Sequence, residues 1–277
     1  MSDPTGKRTR KDSHYARLRR DHRARKAAGG APPSQGPPEG QVLLYGLHTV
    51  RAALDNRARV IHDMLVTENA AARLGLPDPD ALPFAVETVH PRRIDALLGG
   101  EAVHQGVVLR ADALAPRTLA DLTDARLVIV LDQVTDPHNV GALMRSGVAM
   151  GADALVTTAR HSPAESGVLA KAASGALEHL PIVHVRNLAN ALTQMAERGF
   201  QTVGLDSQGP QTLEETLRAG RIALVLGAEG KGLRHKTRQS VTDLARLDIP
   251  GPIKSLNVSN AAVLSLYIAH RHVGDAR

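Results

Sequence analysis

The 277 residues carry 34 Lys and Arg against 28 Asp and Glu, a formal net charge of +6, with 43% hydrophobic residues and no cysteine. That composition excludes a disulfide framework, thiolate chemistry and Cys-ligated metal. With no run near ~18 consecutive apolar residues and no apolar leader core, it predicts no membrane span and no secretory signal, hence a soluble cytoplasmic protein of about two domains. Three Tyr, two Phe and no Trp are too few for a base-stacking platform.

Residues 1–40 hold ten basic and four acidic side chains, so the excess charge sits in an N-terminal arm and residues 41–277 are formally neutral. The arm ends in the Pro/Gly-rich stretch 31–40, which can neither continue a helix nor build a core, and disorder is predicted. Two readings stay open for it: a solubilising tail, or a salt-sensitive tether for nucleic-acid phosphates.

A first compact unit is expected over residues 41–113. Val42–Tyr45 reads as a strand, Gly46–Asn56 as a short amphipathic helix and Val60–Val66 as a strand. Pro83–Val86 is a short apolar piece, Pro91–Leu98 a helix stopped by Gly99-Gly100, and His104–Leu109 a turn entering a strand. That alternation suggests a small α/β sandwich. Residues 114–125 form a linker with a short helical piece.

A larger unit then fills 126–277. Strands are predicted at 127–131, 154–158, 181–185, 200–205 and 222–226, and helices at 139–150, 165–174, 187–198, 211–218 and 257–272, with an unassigned segment at 233–250. Near-continuous apolar strands alternating with helices predict a parallel sheet buried on both faces, with ligands outside the strands' carboxyl ends.

Three loops at those ends carry the polar signals. The first, Asp132–Asn139, leads into a helix of small and apolar residues containing Arg145. Asn139 is placed to cap or begin that helix, and Arg145 is either a surface residue or a functional one. The second, Gly227-Ala-Glu-Gly-Lys-Gly-Leu-Arg234, has three glycines that free the backbone to approach a ligand, and a carboxylate, Glu229, that would repel a phosphate. It matches neither the P-loop nor the dinucleotide fingerprint. The basic group behind it (Lys231, Arg234, His235, Lys236, Arg238) faces either RNA or solvent. The third, Leu247–Asn260, concentrates Ser255, Asn257, Ser259 and Asn260; a helix N-cap explains one of these, not four. The 13 histidines show no metal-ligand spacing, so no metal site is expected.

In this order, Asp136-Pro-His-Asn139 with Arg145, Leu226-Gly-Ala-Glu-Gly-Lys-Gly-Leu233 and Ser255-Leu-Asn-Val-Ser259 resemble the motifs of the SpoU (TrmH) family of RNA ribose 2′-O-methyltransferases, within the SPOUT superfamily. Tyr45-Gly-Leu-His-Thr-Val50 and His104-Gln-Gly-Val107 resemble the small RNA-binding domain of many members. The pairing is most similar to the branch that methylates a guanosine in the peptidyl-transferase region of 23S rRNA.

The resemblance implies a trefoil-knotted SPOUT domain, a homodimer, an RNA partner and S-adenosyl-L-methionine as methyl donor. It implies Gly227, Leu247, Ile249 and Leu256 around the cofactor, the chain departing from the family at Leu247-Asp248, where Ile-Pro is usual. It also implies Asn139, Arg145, Glu229, Ser255 and Asn257 at the reacting ribose. Because a guanidinium stays protonated, Arg145 is read as a bidentate phosphate clamp that orients the hydroxyl, supplied by either protomer, rather than as a base. Three rivals remain: the same chemistry on tRNA, a non-catalytic RNA-binding or ribosome-assembly factor, and a nucleotide-dependent oxidoreductase.

Overall fold

The computed structural model describes residues 36–78, 81–160, 163–218, 220–253 and 255–275, so the expectation of disorder over 1–35 lies outside them. The first half builds a four-stranded sheet from β1 (Gln41–Tyr45), β2 (Ile61–Val66), β3 (Ala85–Thr88) and β4 (Val107–Asp112), in the order β1-β4-β2-β3. Its pairings are antiparallel except β2 with β3. Helices α1 (Leu47–Asp55), α2 (Glu68–Leu74) and α3 (Pro91–Leu98) complete it. The sequence reading missed α2, because Glu-Asn-Ala-Ala-Ala-Arg-Leu carries no apolar stripe. Its ends are nonetheless signed: the Thr67 side chain accepts from Ala70 N–H, and Gly75 closes it in the left-handed region at φ 55°. The connection that follows holds a single 3₁₀ turn, Leu119–Asp121.

The second half is a seven-stranded, wholly parallel sheet. It comprises β5 (Leu127–Asp132), β6 (Ala154–Thr158), β7 (Ile182–Val185), β8 (Gln201–Leu205), β9 (Gln211–Thr212), β10 (Ile222–Gly227) and β11 (Asp243–Arg246), with helices α4 (Pro137–Ala149), α5 (Gly167–Ala173), α6 (Leu188–Glu197), α7 (Leu213–Thr216), α8 (His235–Ser240) and α9 (Val258–Asp275). The order β7-β6-β5-β10-β8-β11-β9 shows how the chain moves. It steps outward from β5 through β7, crosses to the other side for β8, and inserts β10 between β5 and β8. A crevice at such a reversal is where ligands sit in open α/β sheets.

Strand parity separates two cores. Leu127, Ile129 and Leu131 of β5 and Ile222, Leu224 and Leu226 of β10 pack with α4, α5 and α9. Val128, Val130, Ala223 and Val225 pack with α6 on the opposite face. Every residue of β5 is buried, the two-faced burial that its apolar run predicts.

Two element assignments need correction. The helix expected at 211–218 is the two-residue strand β9 followed by the four-residue α7, started by a capping box of Thr212 with Glu215. The unassigned 233–250 segment holds α8 and β11, whose sequences, His-Lys-Thr-Arg-Gln-Ser and Asp-Leu-Ala-Arg, show no clear period.

The two sheets share one continuous apolar core. They are joined by Arg59, whose side chain is fully buried and whose guanidinium reaches Glu165 at 2.6 Å and Glu178 at 2.5 Å. Burial alone would disfavour its charge, but hydrogen bonds and attraction from Glu178 and Glu165 outweigh that and raise its pKa. Beside it, Gln105 Oε1 accepts from Leu47 N–H and from Lys171 Nζ. The Gln105-Gly106 and Tyr45-Gly46 segments therefore pack at the joint with α5.

Candidate active site

The loops leaving β5, β8, β10 and β11 converge on two adjoining cavities. The first, of about 510 Å³, is lined by Leu205–Ser207, Leu226–Gly230, Gly232, Arg246–Ile249, Ser255, Leu256, Val258 and Ala261. The second, of about 440 Å³, is lined by Gln133–Asp136, Asn139, Ala228, Glu229, Lys231 and Val258. Ala228, Glu229 and Val258 belong to both, so one thin wall separates them.

That wall is a tight turn. Gly232 N–H donates to Ala228 O at 2.8 Å and Lys231 N–H to the same oxygen at 3.3 Å. Gly230 and Gly232 adopt φ of 75° and 64°, which L side chains rarely accept. At Gly227 a Cβ would collide with the Gly232 backbone, so the loop closes only because residue 227 has no side chain.

Asp132, fully buried at the end of β5, accepts from Arg234 N–H at 2.9 Å and from Arg234 Nε at 2.6 Å, fixing the end of this loop against β5. Arg238 Nη1 also pairs with Asp206. Two of the five basic residues behind the turn are thus committed to carboxylates, while Lys231, His235 and Lys236 are exposed.

Asn257 ties the third loop to the first. Its Nδ2 donates to Asn139 Oδ1 at 3.2 Å, while its Oδ1 accepts from Ser259 N–H at 2.9 Å and Ser259 Oγ at 2.6 Å. It is therefore both the cap of α9 and the link to α4. The cap of α4 is Asp136, whose carboxylate accepts from His138 N–H, so Asn139 is the third residue of the helix, within its first turn, rather than the cap. That frees its side chain for the cavity.

Gly227, Glu229, Leu247, Ile249, Ser255 and Leu256 line the first cavity, and Asn139 and Glu229 the second. Arg145 lines neither. It is exposed, six residues beyond Asn139 on α4, about a third of a turn round the helix and ~9 Å along it. Sequence reasoning missed Leu205–Ser207 and the Asp132–Arg234 pair, and it marked the loop that holds Gln133 and Asp136 without singling out either residue. The signal for the first was available, since Leu205–Ser207 also follows a strand's carboxyl end.

The first cavity has a volume within the ~300–1,000 Å³ usual for small-molecule sites. Leu205, Leu226, Leu247, Ile249 and Leu256 give it apolar walls suited to a flat base. Ser207, Ser255 and the carboxylates of Glu229 and Asp248 suit hydroxyls and a positive centre. This donor set fits an adenosyl group carrying a sulfonium. Among the described residues no cluster of three or more His, Asp or Glu is arranged to hold a metal ion, and no helix is long and apolar enough to cross a membrane.

Residues 126–267 match the family model described as SpoU rRNA Methylase, and residues 43–117 match the one described as RNA 2′-O ribose methyltransferase substrate binding. The chain belongs to the SpoU rRNA methylase family. It is 38% identical over 236 residues to the 23S rRNA (guanosine-2′-O-)-methyltransferase RlmB of Ralstonia nicotianae, covering 83% of this chain and 95% of that one. To the same-named enzyme of Escherichia coli K12 it is 32% identical, covering 83% and 98%. Two solved structures share this fold. AviRb from Streptomyces viridochromogenes, in complex with AdoMet, has a TM-score of 0.72 at 21% identity and covers 98% of this chain and 100% of its own. An AdoMet-bound rRNA methyltransferase from Sinorhizobium meliloti has a TM-score of 0.68 at 22% identity, covering 91% of each chain.

Proposed function

We propose that this family member transfers the methyl group of S-adenosyl-L-methionine to the ribose 2′-hydroxyl of a guanosine in 23S rRNA, in the cytoplasm. The observation that carries the reading is the pair of cavities with a common wall: one fits an adenosyl donor, the other opens beside it on a polar lining. S-adenosyl-L-methionine, when bound, supplies an electrophilic methyl group. The chain's task is to hold donor and acceptor in line and to assist the hydroxyl in losing its proton.

Gly227, Leu247, Ile249 and Leu256 hold the donor's adenosyl part. In this reading the 227–233 turn and the 247–257 segment are the loops of the family's trefoil knot. Glu229 is the carboxylate common to both cavities, so it attracts the positive centre from one side and accepts the hydroxyl's hydrogen from the other. The Asn139–Asn257 hydrogen bond and Ser255 keep the three loops in register around it. The four-stranded half, joined rigidly through Arg59, docks the RNA.

A second copy of the chain completes the site. Val263, Leu264 and Tyr267 form an exposed apolar stripe on α9, at 37%, 48% and 50% exposure. Covering it places a partner's α4, and with it Arg145, within reach of the RNA.

The test is to map ribose methylation in rRNA from a strain lacking the protein and to measure cofactor binding by calorimetry. Loss of one guanosine methylation with S-adenosyl-L-methionine binding supports the reading. An unchanged rRNA map, or a lost tRNA site instead, overturns it.

A further inference from the structure

We infer that Lys231 is the phosphate-binding residue of the second cavity, pinning the RNA backbone beside the target ribose. The assignment rests on the functional reading above and goes one step further, to the residue that lets a polyanion enter. Among the described residues, the lining of the second cavity contains two carboxylates, Asp136 and Glu229, and one cation, Lys231. Without Lys231 the lining would repel a phosphodiester.

Among the described residues, the other cations near the turn do not take this place. Arg234 is bound to the buried Asp132 and Arg238 to Asp206, and Arg145 lines neither cavity. Lys231 is exposed and makes no hydrogen bond or ion pair through its side chain with the described residues.

Its backbone setting is what makes the contact specific. Gly230 and Gly232 face the first cavity while Lys231, between them, faces the second. The Ala228–Gly232 turn, closed by two hydrogen bonds to Ala228 O, fixes that alternation. One five-residue turn thus presents bare backbone to the donor and an ammonium to the acceptor. A lysine suits a phosphate as a compact point charge on a stem that adapts to the backbone's path.

The experiment compares wild type with Lys231→Ala and Lys231→Arg on rRNA from a strain lacking the protein, across a salt series, with S-adenosyl-L-methionine binding measured alongside. Lys231→Ala is expected to lower kcat/KM about 10- to 100-fold, the loss of one charge-assisted contact, mostly through KM. The slope of log affinity for RNA against log salt should fall by about 0.7, one phosphate on a single strand. Lys231→Arg should restore most of both. Cofactor affinity should be unchanged in both variants, because the side chain does not line the first cavity. Unchanged kcat/KM and salt slope in Lys231→Ala, with wild type active, overturn this assignment alone. Loss of cofactor binding in Lys231→Ala also overturns it, by making the residue structural. A wild type that methylates no rRNA defeats the functional reading and the assignment together.

Discussion

At the scale of single residues, Arg145 separates what a motif says from where a side chain is. The motif places it beside Asn139, yet a spacing of six in a helix turns it away from the cavities of its own chain. A role as phosphate clamp then requires RNA, a second copy, or both. Arg145→Ala is expected to lower methylation about 100-fold, as misplacing a reacting group does, with S-adenosyl-L-methionine binding intact; Arg145→Lys should recover only part, because a lysine cannot form the bidentate contact. Near-wild-type turnover by the alanine variant would remove Arg145 from the reaction.

His184 on β7 carries a prediction about pH. Its side chain is exposed, and partial desolvation alone holds its pKa below the ordinary value of 6.5, so the effect on stability is small. The unfolded chain therefore takes up a proton as pH falls through about 6.5 while the folded chain does not, and stability drops on that acid side. Above that pH the contribution is fully present. His184→Gln should flatten the fall in urea midpoint between pH 7.5 and 5.5; parallel curves for the two proteins would contradict this.

At the scale of elements, legibility followed physical cause. Strands β5 and β10 are readable because both faces are buried, leaving few polar interruptions. Helix α2 was missed because its alanines give no period, and α8 because a six-residue helix of polar side chains gives no apolar stripe. The site loops were readable as three polar islands at strand ends. Their division into two cavities was not, because it depends on β10 inserting between β5 and β8 and on a turn whose glycines face one way and whose lysine faces the other. Nor was the Asp132–Arg234 pair, since nothing local joins residues 102 apart.

The crossing of α4 and α5 offers a test at this scale. A Cβ at Gly141 would lie 2.5 Å from Ala172 Cβ and 2.8 Å from Ala173 N, so the helices approach on bare backbone. Gly141→Ala gains about 1 kcal/mol of helix propensity but incurs about 1–3 kcal/mol of overpacking, and a lower denaturant midpoint is expected. Gly274→Ala in α9, with nothing within 4 Å, should be neutral or stabilising.

At the scale of the whole molecule, the linker expected between the halves is less important than the joint. Arg59 is charged and buried between Glu165 and Glu178, and Asn56 Nδ2 also donates to Glu178 at 2.7 Å. Arg59→Ala leaves the buried Glu178 and the partly buried Glu165 without a counter-charge and should destabilise the fold by about 3–5 kcal/mol. The combination of Arg59→Met with Glu165→Gln and Glu178→Gln should lose less. Thermal unfolding of the two proteins checks the order, and equal losses would mean the charges are not what makes the joint.

The wall between the two cavities has a thermodynamic consequence. Because the same Ala228–Glu229 backbone contacts both occupants, any adjustment one of them imposes is met by the other. Reciprocity then demands that whatever factor the donor applies to the affinity for RNA, RNA applies to the affinity for the donor. On the proposed reading, the spent donor has lost its positive charge and with it the attraction to Glu229. On that reading the release of methylated RNA and that of the used cofactor are coupled through the turn from Gly227 to Gly232.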